Sequence, residues 1–240
     1  MKKALIFYGG WDGHEPALVA KRFKSLLEKH GFSNTLSDTL HCLSDTDALM
    51  AYDLLVPCWT MGDLSDAYAK NVAKAVGAGV GIAGCHGGMC DSFRTSTEWQ
   101  FITGGQWVSH PGGDNVSYRV NIRSGSSPIT EGLEDFDVLS EQYYVHVDPA
   151  IEVLATTRFP VVDYYHSANG AVDVPVVWTK YWGNGRVFYC SLGHHDDVFD
   201  RSPTAQILME RGMLWAAEGR ARALALGLTT ERFENEAKMY

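Results

Sequence analysis

Gly79-Val80-Gly81-Ile82-Ala83-Gly84-Cys85-His86-Gly87-Gly88 is the stretch that decides the fold. Its first half is an unbroken run of small and branched apolar residues, the pattern of a strand covered on both faces. Its second half is a glycine-flanked turn that leads into a plausible short helix. A side chain held at such a turn is presented beyond the carboxyl end of a sheet, as at a nucleophile elbow. The elbow pattern is G-x-nucleophile-x-G, and set on Gly84 and Gly88 it presents His86. Presenting Cys85 instead needs a glycine at position 83, which is Ala83.

Working outward from this turn, the preceding residues alternate strand and helix. Ala4 to Tyr8 is a continuous apolar run, followed by a Gly/His loop and by Pro16, which suits the first turn of a helix. Ala17, Phe23, Leu26 and Leu27 form the stripe of that helix, which stops at Gly31. Tyr52 to Cys58 is expected as a second buried strand and Asp66 to Val76 as a second helix. This alternation implies a parallel sheet with right-handed crossovers. After the turn the pattern changes. Val116 to Ile122, Val138 to Val147 and Ile151 to Thr156 are expected to be extended. Val174 to Tyr181 and Arg186 to Ser191 flank Trp182-Gly183-Asn184-Gly185, whose Asn-Gly pair signals a β-hairpin. Thr204 to Ala217 has the periodicity of an amphipathic helix. The expected organisation is one α/β domain over residues 1–220 with a helix or tail over 221–240.

Composition narrows the function. The chain has 240 residues, of which 45% are hydrophobic and 20% charged, with a net charge of -9 and no Lys/Arg cluster. Phosphate backbones require concentrated positive charge, so nucleic acid is not an expected partner. No stretch is long enough for a membrane span. The five cysteines are odd in number, widely spread and without a CxxC pair. That usage suits a reduced, cytoplasmic setting. Nothing demands or forbids association with further copies of the chain.

In open parallel sheets, ligands bind beyond the carboxyl ends of the strands. Three loops are expected there: Gly9 to Glu15, Trp59 to Asp63, and Gly84 to Arg94. His86 is a candidate general base or metal ligand, since neutral imidazole does either near neutral pH. Glu141, in an otherwise apolar extended run, is a candidate acid/base partner or oxygen ligand. His194 follows a strand end, and His195, Asp196 and Asp197 follow it as neighbours or as solvated loop. His86, His110, His194 and Glu141 make a reasonable nitrogen/oxygen set for a divalent metal such as zinc, although no HxH or HExxH spacing occurs. Trp11, Trp59, Trp107 and Tyr143 are candidates to stack on the C–H faces of a sugar. Asp12, His14, Arg94, Gln106 and His110 could supply polar contacts, with Arg94 alternatively in an ion pair. Cys85 or Cys90 chemistry is a third reading, ranked last because the elbow spacing favours His86.

Six motifs in order also resemble the trehalose-utilisation (ThuA-like) family, within the class I glutamine amidotransferase-like superfamily. They are the first strand with its Gly/His loop; residues 81–88; Phe101 to Trp107 with Ser109-His110-Pro111; Pro128 to Leu133; Leu139 to Tyr143; and Pro175 to Thr179 continuing through Gly183 to His194. The resemblance implies a flavodoxin-like α/β fold and a role in carbohydrate metabolism. It places His86 where true amidotransferases carry the nucleophilic cysteine, so a thioester step is unavailable, and it places His194 like their triad histidine. The family commonly has Asp-Glu-Leu-Tyr where this chain has Ser140-Glu141-Gln142-Tyr143; Glu141 and Tyr143 match, while Ser140 and Gln142 depart. The expected function is proton transfer on a sugar or keto-sugar by His86, Glu141 and His194, with Trp11, His14, Arg94, Trp107, His110 and Tyr143 binding substrate. The alternative is a non-catalytic sugar-binding or regulatory protein on a degenerate amidotransferase scaffold.

Overall fold

A computed structural model describes residues 1–123, 125 and 127–233. The expected tail over 221–240 therefore falls partly, at 234–240, outside the described residues. One nine-stranded sheet organises the chain. Its parallel half contains β1 (Lys3–Gly10), β2 (Ser33–Ser37), β3 (Leu54–Thr60), β4 (Gly81–Cys85) and β11 (Gly185–Cys190), in the spatial order β2-β1-β3-β4-β11. Beyond β11 the sheet continues antiparallel through β10 (Val172–Trp182), β9 (Glu152–Phe159), β6 (Val116–Ile122) and β7 (Phe136–Ser140). β5 (Gly105–Ser109) and β8 (Tyr144–Val147) form a separate antiparallel pair.

Both faces of the sheet are covered at its central parallel strands, which is why these read as continuous apolar runs, whereas β6 and β7 bury one face only. Along β1, Ala4 and Ile6 face one core cluster, while Leu5 and Phe7 face the other. The first cluster is closed by α1 (Pro16–Lys29) through Val19, Phe23, Leu26 and Leu27, and by α7 (Pro203–Ala225) through Leu208, Met209 and Met213. The second is closed by α3 (Asp66–Gly77) through Val72 and Val76, and by α5 (Thr97–Thr103) through Trp99 and Ile102. The short helices α2 (Thr46–Met50), α4 (Gly87–Cys90) and α6 (Val198–Arg201) lie between the longer ones along the chain. The Ser65 hydroxyl caps α3 by accepting from the Tyr68 N–H at 3.3 Å, as helix N-termini require. α7 continues through residue 220 to Ala225. Among the described residues, no helix is long and apolar enough to cross a membrane.

Two local readings are refined. The β10–β11 hairpin is present, but its register pairs Trp182 with Gly185, so Gly183-Asn184 is the turn. Gly183 has φ +57° in the first central position, where a two-residue hairpin of this kind needs glycine. The extended run 138–147 is really two strands in different sheets: β7 ends at Ser140, β8 starts at Tyr144, and Glu141-Gln142-Tyr143 crosses between them.

That small sheet is pinned by a buried pair. The Lys180 ammonium, on β10, donates to the Asp148 carboxylate and to the Phe101 carbonyl. Burial pushes the Asp148 carboxyl up, but Lys180 and the Ala150 N–H outweigh it and hold the group below its ordinary value. A carboxyl depressed on folding stabilises above its unfolded pKa and loses that contribution as pH falls through the folded value. Lys180→Met is therefore expected to flatten the acid limb of stability against pH below about pH 4, as measured by urea unfolding at a series of pH values.

Candidate functional site

Five polar side chains from five separate connections meet beyond the carboxyl ends of the parallel strands. His14 comes from the turn Asp12–His14 after β1, where its Nδ1 lies 2.8 Å from the Thr60 hydroxyl at the end of β3. His86 leaves β4 at φ +45°, in the left-handed region that a non-glycine residue adopts only when its surroundings hold it there. Its N–H donates to the Cys190 carbonyl at 2.8 Å, and the Tyr189 hydroxyl donates to its carbonyl at 3.0 Å. His194 follows β11, and Glu141 follows β7 directly. The Tyr118 hydroxyl holds the Glu141 backbone by donating to its carbonyl at 3.0 Å.

One carboxylate oxygen is the centre of the group. Glu141 Oε2 lies 3.5 Å from His86 Nε2, 3.3 Å from His194 Nδ1 and 3.1 Å from His110 Nδ1. None of these approaches is aligned as a hydrogen bond, so all four atoms lack a hydrogen-bond partner. The rings of His14, His86 and His194 pack edge-on or tilted, with centroids 4.7–5.2 Å apart. Tyr143 lies over His86 with centroids 3.8 Å apart and an interplanar angle of 31°, which fixes the imidazole plane.

Burial separates these groups into inner and outer. His14, His86, His194 and Glu141 are all under a tenth exposed, whereas the His110 side chain is 38% exposed and stands at the rim. Burial, then the neighbouring imidazoles, push His14 down to about 3 and His86 well below its ordinary value. Burial also lowers His194, against the opposing pull of Glu141. His110 is raised instead, chiefly by Glu141 beside it. The inner imidazoles are thus kept neutral by desolvation and mutual repulsion, while the outer one favours its charged form.

The glycine after His86 is a spatial requirement. A Cβ on Gly87 would lie 2.3 Å from His14 Nδ1. Gly87→Ala is therefore expected to displace His14 and to lower stability by about 1–3 kcal/mol, as overpacking does, read as a lower midpoint of denaturant unfolding.

Around the mouth, Trp11 is 46% exposed and meets His14 edge-on at 4.8 Å. Trp107 lies 5.3 Å from His110 and 6.2 Å from Tyr143 by ring centroid. Arg94 stacks on Trp107 at 4.4 Å while its guanidinium pairs with Asp91 through two nitrogens, so it braces the mouth as an ion pair. Trp59 packs against Gly9 and Gly62 at the margin of the core. Gln106 donates to the Trp107 carbonyl, and His146 is exposed on β8, away from the group.

The remaining residues singled out in the sequence fall outside the inner group. His195 approaches Asp114 at 3.7 Å and Glu15 at 4.0 Å. Asp196 pairs with Arg22, and Asp197 with Arg201. Gln142 donates to Thr157 and Arg158, so this departure from the family pattern serves β9 rather than the site. Cys85 is turned into the core beside Cys58 and Cys190, and burial raises its thiol and that of Cys90 well above the ordinary value. Neither thiol has the exposed, electropositive setting of a reactive cysteine.

The structure brings together His86, His194 and Glu141, the residues expected to carry proton transfer, and adds His14, expected as a substrate contact. In space one donor atom each from His14, His86, His194 and Glu141 lies within 4.8 Å of all the others. His110 instead reaches the group through Glu141. Thr60 and Asp114 carried no sequence signal.

Comparison with known proteins agrees with this architecture. Solved structures of ThuA-like proteins from Bacteroides uniformis and Parabacteroides merdae superpose with TM-scores of 0.72 and 0.69, each at 20% identity. The first covers 90% of this chain and 91% of its own; the second covers 91% and 90%. A β-galactosidase from Bacillus circulans sp. alkalophilus matches over 90% of this chain but only 30% of its own, with a TM-score of 0.59 and 14% identity. At these identities the likeness is one of fold. No curated protein matches the chain. The Trehalose utilisation family matches residues 3–216, which spans every donor of the inner group, and the chain belongs to that family.

Proposed function

We propose that this protein is an enzyme of carbohydrate metabolism that moves protons on a sugar or keto-sugar, without amidotransferase activity. The observation that carries the reading is the convergence of His14, His86, His110, His194 and Glu141 at the carboxyl end of the parallel strands. A buried carboxylate facing several imidazoles is equipment for proton transfer. Trp11 and Trp107 offer aromatic faces at the mouth, suited to the C–H face of a sugar ring. Family membership supports a trehalose-utilisation role. With histidine at the elbow and Cys85 in the core, the thiolate needed for amidotransfer is missing from the presented position.

The test is incubation with trehalose, other disaccharides and their keto derivatives, with products followed by NMR. Product formation that falls in His86→Ala and Glu141→Gln chains is expected. Wild-type turnover by both variants overturns the assignment. Thermal stabilisation by a sugar with no product after long incubation moves the protein to a binding role.

A further inference from the structure

We propose that His14, His86, His194 and Glu141 bind one divalent transition-metal ion. Three observations meet here. The first is geometry. An ion with bonds of about 2.0–2.1 Å in a tetrahedral shell sets its ligand atoms roughly 3.3–3.4 Å apart. Glu141 Oε2 stands 3.3 Å from His194 Nδ1 and 3.5 Å from His86 Nε2, and the donors of all four residues lie within 4.8 Å of one another.

The second is unmet bonding. Both nitrogens of His86, Nδ1 of His194 and Oε2 of Glu141 are buried without a hydrogen-bond partner. Buried polar atoms are costly when left unpaired, and here His86 Nε2 and His194 Nδ1 both face Glu141 Oε2. Their mutual approach leaves them unsatisfied, since none of the contacts is aligned as a hydrogen bond, and an unprotonated imidazole nitrogen and a carboxylate oxygen both offer an electron pair. A cation between them satisfies all at once, and a divalent ion also neutralises the buried carboxylate.

The third is outer support. His14 Nδ1 lies 2.8 Å from the Thr60 hydroxyl, and with the hydroxyl accepting from Nδ1–H the Nε2 lone pair is left for the ion. A partner on the far ring nitrogen is how metal-binding histidines are oriented. Tyr143 fixes the plane of His86, and Tyr118 fixes the backbone of Glu141. The donor set selects the ion: three imidazoles suit zinc, cobalt, nickel or iron, whereas magnesium and calcium require mainly oxygen. His110 stands outside as the exposed neighbour of Glu141, on the face left open to solvent.

The measurement is metal content and affinity, with no substrate present. Purified full-length chain is stripped with EDTA, dialysed, and titrated with zinc and cobalt chlorides by calorimetry; cobalt also reports coordination by its visible spectrum. About one ion per chain is expected, with a raised melting temperature. His86→Ala, His14→Gln and Glu141→Gln are each expected to weaken binding by roughly a hundredfold, whereas His110→Ala keeps it. Where a ligand variant does not fold by circular dichroism, Thr60→Val retains all four donors and is expected to weaken binding by about 10–100-fold. Substoichiometric binding of both ions overturns the proposal. So does binding that survives His86→Ala but is lost in His195→Ala, which would place the ion at the outer Asp114–His194–His195 group. A chain that binds no metal leaves the sugar assignment to its own test, and an inactive chain with full metal leaves this site standing.

Discussion

Under the proposed function, a Glu141→Gln chain is expected to turn over a sugar substrate about a thousandfold more slowly than the unaltered chain, in line with the loss of a positioned acid/base group. The substitution keeps the shape of the side chain and removes its charge. One oxygen of Glu141 approaches His86, His110 and His194 at 3.1–3.5 Å, so a single change alters three imidazole environments together. The stability effect is expected to run the other way. In metal-free buffer the carboxylate is buried among imidazoles that desolvation keeps neutral, apart from His110. Replacing an incompletely compensated buried charge with a neutral amide is expected to leave the melting temperature unchanged or raise it. Calorimetric melting beside steady-state kinetics checks both halves. A variant with lowered activity and lowered stability alike would indicate a structural role for Glu141 instead.

Trp178→Ala is expected to be the most destabilising single change, by about 3–5 kcal/mol, which in a chain of this size lowers the melting temperature by roughly 6–20 °C. Trp178 is fully buried in the middle of β10. Its ring lies on Tyr189 with centroids 4.2 Å apart, and its Nε1–H donates to the Thr103 carbonyl at 3.0 Å. Alanine leaves a cavity and an unpaired buried carbonyl. The ring also abuts Gly104 and Gly105, where the chain enters β5 towards Trp107 and His110. Trp178→Phe fills much of the volume but still loses the hydrogen bond, so it is expected to cost about half as much. Equal melting temperatures for the two variants would show that the hydrogen bond, rather than the volume, carries the effect.

The elements that the sequence makes legible are those whose burial is uniform. β1, β3 and β4 are covered on both faces, and their apolar runs say so directly. β2 reads Ser33-Asn34-Thr35-Leu36-Ser37 and lies at the sheet edge with no buried residue; its strand state comes from pairing with β1, which local composition does not encode. The run 138–147 hides its most informative feature for a similar reason. Extended residues look alike whether they stay in one sheet or cross to another, so Glu141 to Tyr143 does not announce itself as a crossing. In the site, strand ends and glycines bring out His86 and His194. His14 joins them through the absence of a side chain at Gly87 and the hydroxyl of Thr60, both remote in sequence and neither carrying a pattern of its own.

The insertion of β11 between β4 and β10 sets an order of events during synthesis. His86 and Tyr189, which holds its carbonyl, are 103 residues apart, and His194 emerges later still. A nascent chain exposes His14, His86 and Glu141 while β4 still lacks β11 along one edge. Long-range pairing of this kind is slow, because the intervening loop must close before any contact rewards it. The elbow thus acquires its fixed geometry only after β11 has been synthesised. A chain stopped before Gly185 would display three of the four inner side chains without the strand that holds them in register. Completion of the site and completion of the sheet are one event.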